Sequence, residues 1–396
     1  MSILNDYLNK RLSVTDLHNE LNQLLKRYKS ITGRDLYIYA ADIVKGGNPN
    51  VNISLSQEDF YIIQDMLRED DEKIIDIYLE TPGGSGESAE EIARFLHNKY
   101  NEVNFVIAAE AKSAGTILTL SGDNIFMTDT GSLGPIDAQI KIGRSIVSAY
   151  DYKIWIDEKR DEAQKYNRLN PLDAIIVSQI SPGEIKKVIN ALEFAKDLVK
   201  DWLVKYKFKN WTITESSKTK VTKKMKLQRA EEVATALTNQ TKLRSHGRSL
   251  KISDLSKWLK IERIDDNKDL ANVIYSIKTV IRLIFDQSST YKLFFYKDNR
   301  IMRTFTTSSS QSLPLPIPLV PPKPQKIDEI EIGLNCPKCG KAHKVKAFTD
   351  KKIKQPKNPL ITKDEKLVCD NCGFEIDLKP IKNDIELKLK KKIYFN

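Results

Sequence analysis

Two short runs carry the residue types that acyl-transfer chemistry needs. In TPGGSG, Gly83 and Gly84 let the backbone come close to a reacting atom and turn its amides outward. In AEAKSAGT, Ser113 lies between Lys112 and the small pair Ala114 and Gly115, so its hydroxyl is left open and the Ala114 amide can point the same way. Each run also has an ordinary reading: a Gly-Gly pair before a helix makes a simple turn, and a serine before a helix makes an N-cap. A nucleophilic hydroxyl further needs a base, either a histidine or a lysine whose ammonium is stripped of its charge by a dry setting. Of the four histidines, His18 and His97 stand beside charged residues in helix-like segments and read as surface, and His343 falls among the cysteines. His246, in RSHGRS between Arg244 and Arg248, is left as a base or as a histidine bonding across a turn, and Asp137 in GPID as an orienting group or a loop anchor.

A second chemistry lies near the C-terminus. All four cysteines fall in CPKC (Cys336, Cys339) and CDNC (Cys369, Cys372), each pair followed by glycine. Two such knuckles present four thiolates to one Zn²⁺, a closed site that is structural rather than hydrolytic. The lysine-rich KKIKQPKNP between them reads as an inserted loop, and His343 as a ligand that four thiolates make unnecessary.

These residues need elements to hold them. Leucines at helical spacing from Leu4 to Leu25 and a stop at Gly33 predict one amphipathic helix over 1–34. LYIYAADI reads as a strand, and a helix opens at Ser56. From Lys73 strands and helices alternate: IIDIYLE, AEEIARFLHNKY, NFVIAAE, TILTLSG, NIFMT. That alternation predicts a largely parallel α/β sheet with the two candidate turns at the carboxyl ends of neighbouring strands. Residues 142–209 read as mainly helical, with Ile175, Ile176, Val177, Val188 and Leu192 on apolar faces, and further helices are expected at 230–237 and 270–285. The resulting division is an N-terminal helix over 1–34, a catalytic domain over 35–300, a Ser/Pro-rich linker over 301–326 and a zinc ribbon over 327–396.

The chain has 396 residues, 40% of them hydrophobic, and a formal charge of +11 to which the lysine-rich C-terminal stretch contributes. It has neither a leader-like N-terminus nor an uninterrupted apolar run long enough to span a bilayer, so a cytoplasmic protein without a membrane span is expected. Charges of both signs are mixed through the body, which reads as a solvated surface rather than a nucleic-acid face.

The runs IYLETPGGSGESAEEIARFL, VIAAEAKSAGTILTLSGDNIFM and GSLGPIDAQ together resemble the Clp-protease/crotonase-like fold, built of repeated ββα units, and within it the serine dehydrogenase proteinase and signal-peptide-peptidase-like families. The resemblance is most specific over 74–139 and extends loosely to about 265. It implies a serine endopeptidase: Ser113 as nucleophile, the amides of Gly83, Gly84 and Ala114 as the oxyanion site, and a peptide or protein substrate. It also implies a homo-oligomer. Clp proteases carry their histidine in the segment that here reads GSLGPIDAQ, which has none. The signal-peptide-peptidase-like enzymes use a downstream lysine instead, which leaves Lys141, Lys153, Lys159 and Lys165; Lys153 is favoured, because Tyr150, Tyr152, Ile154 and Trp155 surround it with apolar bulk. Two other functions fit the same fold: a catalytically silent scaffold whose zinc ribbon binds a protein or nucleic acid, and acyl-CoA chemistry, which would not need the serine.

Overall fold

The computed structural model describes residues 2–48, 50–136, 138–142, 145–214, 217–238, 245, 247–305, 329–349, 360–362, 364–389 and 392–395. It divides into two units, Met1–Ser309 and Ser310–Asn396.

The first unit opens with α1 (Ile3–Lys10) and α2 (Val14–Thr32), so the single helix expected over 1–34 is in fact two. Ser13 and Asp16 form a reciprocal cap, Asp16 N–H donating to Ser13 Oγ at 3.2 Å and Ser13 N–H to Asp16 Oδ2 at 3.0 Å, which restarts the helix after Arg11 turns left-handed. Gly33 ends α2 as its position predicts. His18, expected at the surface, is buried on α2.

Next come β1 (Asp35–Ala41), α3 (Gln57–Leu67), β2 (Ile74–Glu80), α4 (Gly86–Lys99), β3 (Glu102–Ile107), β4 (Glu110–Ala111), α5 (Ala114–Leu120), β5 (Asn124–Met127) and β6 (Ser132–Leu133). A hairpin of β7 (Gln139–Ile142) and β8 (Ser145–Ser148) precedes α6 (Ala149–Tyr166), α7 (Pro171–Val177) and α8 (Pro182–Trp202), so the helical stretch starts later than expected. The unit closes with α9 (Lys223–Thr238), α10 (Ile252–Leu255), β9 (Glu262–Arg263), α11 (Lys268–Gln287), β10 (Thr290–Tyr296) and β11 (Asn299–Thr304).

Seven strands form one sheet in the order β11-β10-β1-β2-β3-β5-β9. The five strands from β1 to β9 are parallel, and β10 and β11 add antiparallel at the β1 edge. Alternate residues feed two cores, as the two-residue strand period requires: Tyr39, Ile77, Leu79 and Phe105 face the helices α3, α4 and α5, whereas Ile38, Ala40, Tyr78 and Val106 pack with residues of α2 and α11. The linker expected from residue 301 starts later, because Ile301 to Thr304 pair with β10. The Pro-rich run 312–325 lies outside the described residues, as does the loop KKIKQPKNP. On α7, Ile175 is 62% and Ile176 46% exposed; the helix has only seven residues and buries none of them, so the apolar face expected there is not in the core, although Val188 and Leu192 of α8 are.

The second unit contains β12 (Glu329–Asn335), β13 (Ala342–Phe348), β14 (Lys366–Val368), β15 (Glu375–Asp377), α12 (Lys379–Leu389) and β16 (Tyr394–Phe395). Its core is small, centred on Val345, Leu367 and Leu378.

Candidate active site

The two candidate turns meet because β2 and β4 are tied directly past their ends. Thr81 N–H donates to Glu110 O at 2.8 Å and Lys112 N–H to Thr81 O at 3.0 Å. Gly83 then lies against the serine: a Cβ on it would sit 2.6 Å from Ser113 Cβ and 2.7 Å from Lys112 O. Only glycine allows that approach, and its φ of 101° is also one that other residues rarely take.

Ser113 has φ 50° and ψ −118°, and its side chain makes no capping bond to α5. The N-cap reading therefore fails on both counts, since a cap needs extended backbone and a side-chain acceptor for the first-turn amides. Ser113 is partly exposed, whereas Lys112 before it and all of α5 after it are buried. Backbone held this far from the usual regions persists only where its surroundings over-determine it, and such strain gathers at working sites.

Three amides were expected to face the oxyanion, and the structure separates them. Gly83 N–H is taken by Thr81 Oγ1 at 3.1 Å, so it is not a spare donor. Among the described residues the amides of Gly84 and Ala114 have no acceptor. The Gly83 carbonyl accepts from Leu55 N–H at 2.7 Å, and Ser85 N–H donates to Leu55 O at 2.9 Å. Leu55 acts here through its backbone, so no residue-type signal marks it in the sequence; Thr81 was legible as a hydroxyl that closes a turn two residues on.

The candidate bases are scattered. Lys112 turns away from Ser113: its buried ammonium donates to Ser249 Oγ at 2.7 Å and to the carbonyls of Arg248 and Leu133 at 3.2 and 3.4 Å, and burial lowers its pKa. Lys153, on the first turns of α6, is paired with Asp157 at 2.5 Å and its side chain is 44% exposed, so the dry wall expected around it is missing. Tyr152 is drawn instead to Glu184, and Ile154 is exposed. Lys159 bonds to Asp173 and Glu162, which push its pKa up to about 12, opposite to what a general base needs. Lys165 lies over the Tyr166 ring, and the side chain of Lys141 lies outside the described residues, together with His246, Arg244 and Asp137. His97 is half-buried rather than at the surface, stacked on Tyr206 with Nε2 2.7 Å from Ser121 O.

Behind the glycine turn, Glu80 ends β2 on the α11 side. Burial raises its carboxyl to about 7, against the lowering effects of the Tyr78 hydroxyl, Lys278 and Arg282.

In the second unit the cysteines converge. The Sγ atoms of Cys336, Cys339, Cys369 and Cys372 all lie within 4.8 Å of one another, with Cys336 to Cys372 at 3.5 Å and Cys339 to Cys369 at 3.6 Å. Tetrahedral Zn–S bonds would set such edges at about 3.8 Å, so the quartet fits that ion. The knuckles fold alike: Gly340 N–H donates to Cys336 O and Gly373 N–H to Cys369 O, both at 2.8 Å. His343 is buried beside them with Nε2 3.3 Å from Cys369 Sγ, a position for a bond to sulfur rather than a fifth ligand.

Residues 52–227 match the family described as ClpP-like SDH-type serine proteinase. Over that stretch the chain is similar to this family. The matched residues include Gly83, Gly84, Ser113, Ala114 and Lys153 and stop short of His246 and the cysteines. Two uncharacterized proteins of Methanocaldococcus jannaschii are similar to the chain. One is 32% identical over 132 residues, which is 33% of this chain and 41% of the relative; the other is 31% identical over 129 residues, 32% and 39% respectively. The chain thus spans about two fifths of the length of these relatives. Among solved structures, the 1510-N membrane-bound stomatin-specific protease overlaps with it in two mutant forms. One is 15% identical with a TM-score of 0.31, covering 56% of this chain and 79% of that one; the other, in complex with a substrate peptide, is 17% identical with a TM-score of 0.30, covering 54% and 71%. No helix among the described residues is long and apolar enough to cross a membrane.

Proposed function

We propose that the chain is a serine endopeptidase in which Ser113 is the nucleophile, the amides of Gly84 and Ala114 bind the oxyanion, and a lysine is the general base. The observation that carries this reading is Ser113 itself, strained, uncapped and pressed against Gly83 beside two amides that find no acceptor among the described residues. In the reaction, Ser113 Oγ attacks the peptide carbonyl carbon as its proton passes to the lysine amine. The charge on the carbonyl oxygen is met by the two amides, and the C–N bond breaks as the lysine returns the proton to the leaving amine. Water then attacks the ester by the same route in reverse.

Lys153 is the base we propose, on its place within the matched family segment. It must first exchange its Asp157 partner for the Ser113 hydroxyl, since a base has to be neutral and an ion-paired ammonium is not. The C-terminal quartet we read as a structural zinc site: four thiolates close the coordination sphere, and the ion would supply folding energy rather than a reactive water.

Labelling with a fluorophosphonate probe tests the site. Wild-type chain should be labelled, and Ser113→Ala should lose both labelling and peptide turnover, the latter by at least about a thousandfold. Lys153→Ala should turn over peptide at a similarly reduced rate, while His246→Ala should not. Labelling that persists in Ser113→Ala would overturn the assignment of the nucleophile.

A further inference from the structure

Lys292 lies on β10 and Asp59 on α3, in different elements, yet both are buried, at 2% and 1% exposure, and they touch: Lys292 Nζ is 2.7 and 2.9 Å from the two carboxylate oxygens. A buried ion pair is costly to desolvate and is weak evidence for stability alone, so what its remaining hydrogen bonds hold is informative. They hold residues 54–56. Lys292 Nζ also donates to Ser54 O at 2.7 Å, and Asp59 Oδ2 accepts from Ser56 N–H at 2.9 Å and from the Tyr39 hydroxyl at 3.1 Å. Leu55, between these two anchored residues, contributes the N–H and C=O that grip the Gly83 carbonyl and the Ser85 amide.

The consequence follows from peptide planarity. The Gly83 carbonyl and the Gly84 N–H belong to one rigid group and point in opposite directions. Holding the carbonyl on Leu55 therefore aims the Gly84 amide away from Leu55. The fit is close, since a Cβ on Gly84 would fall 2.3 Å from Leu55 O. We infer that Lys292 and Asp59 are positioning residues for the oxyanion site, acting through the backbone of Leu55 on the Gly83–Gly84 peptide. This rests on the peptidase reading for its catalytic consequence, but not for the placement of the loop.

Single substitutions would leave one buried charge unpaired and unfold the chain, so the test removes both charges together, as Asp59→Asn with Lys292→Met. The control is the matching double change, Asp76→Asn with Arg34→Met, which removes a buried carboxylate and its cation at the far end of β2, where Asp76 also meets Tyr28 and Asn104. In the double variant, fluorophosphonate labelling of Ser113 should slow in kinact by about ten- to a hundredfold, as expected for a donor displaced by a fraction of an ångström, with KI within about twofold. Hydrogen exchange at the Leu55 and Ser85 amides should quicken by at least about tenfold. The Asp76→Asn, Arg34→Met pair should change neither quantity. If the double variant labels like wild type, or its Leu55 and Ser85 amides stay as protected as in wild type, the inference is overturned. If the wild-type chain is not labelled at Ser113, the peptidase reading falls, and the exchange rates alone decide whether the pair places the loop.

Discussion

Ser113 owes its standing to its neighbour 30 residues earlier. Gly83 fills the space where any side chain would strike the serine, so Gly83→Ala should act on catalysis more than on folding: kcat for peptide hydrolysis falling about a hundredfold, with KM little changed, as measured by steady-state kinetics. An alanine variant as active as wild type would mean that the close approach has no part in the reaction. Glu80 gives a second prediction at this scale. Its carboxyl is raised from 4.5 to about 7, so the fold favours the protonated form; the stability this contributes is fully present below the unfolded value of 4.5 and is lost as pH rises through 7. Glu80→Gln should therefore melt above wild type at pH 8, and the advantage should vanish near pH 4.5. A Tm difference independent of pH would show that the side chain acts by packing.

At the scale of elements, β10 and β11 matter most for where the first unit ends. β10 brings Phe294 to one core, Leu293 and Phe295 to the other, and Lys292 to Asp59, and β11 covers its outer edge. Truncation after residue 309 should leave a unit that folds and is labelled at Ser113. Truncation after residue 298 exposes the unpaired edge of β10 and should give an aggregating chain, a contrast read by size-exclusion chromatography. These strands escaped the sequence reading because both faces of β10 are buried, which replaces alternation with the run TYKLFFY directly after a long apolar helix. The parallel strands β2 and β3 were legible because each leads through a turn into a helix, and the cysteine knuckles because spacing alone identifies them. The break at Ser13 was also within reach, as serine followed three residues later by aspartate, but the leucine spacing runs through it. The surroundings of Lys153 were not legible. A lysine becomes basic through what surrounds it in space, and apolar neighbours in sequence, such as Ile154 and Trp155, lie around a helix rather than over the ammonium.

For the molecule as a whole, the two units differ in what holds them together. The first has two large cores on either side of a seven-stranded sheet, and their residues run from Ile3 to Met302. The second has a small central cluster, Val345, Leu367 and Leu378, and among the described residues little else buried beyond Ala347, Phe348 and Ile393, a core too small to hold so short a stretch without a further tie. Its thiol quartet joins two strand pairs, since Cys336 and Cys339 connect β12 to β13 and Cys369 and Cys372 connect β14 to β15. A metal bound there stabilises only the folded arrangement, so its removal should unfold this unit and leave the other intact. A strong chelator at neutral pH should release one zinc per chain, read with a colorimetric zinc indicator, and open residues 329–395 to proteolysis, while the melting of the first unit and the labelling of Ser113 stay as they were. Cys369→Ser should behave as the chelated chain does. If the metal-free protein keeps 329–395 resistant to protease, the small apolar core suffices and zinc is a passenger; if labelling falls with the metal, the quartet supports the first unit as well as its own.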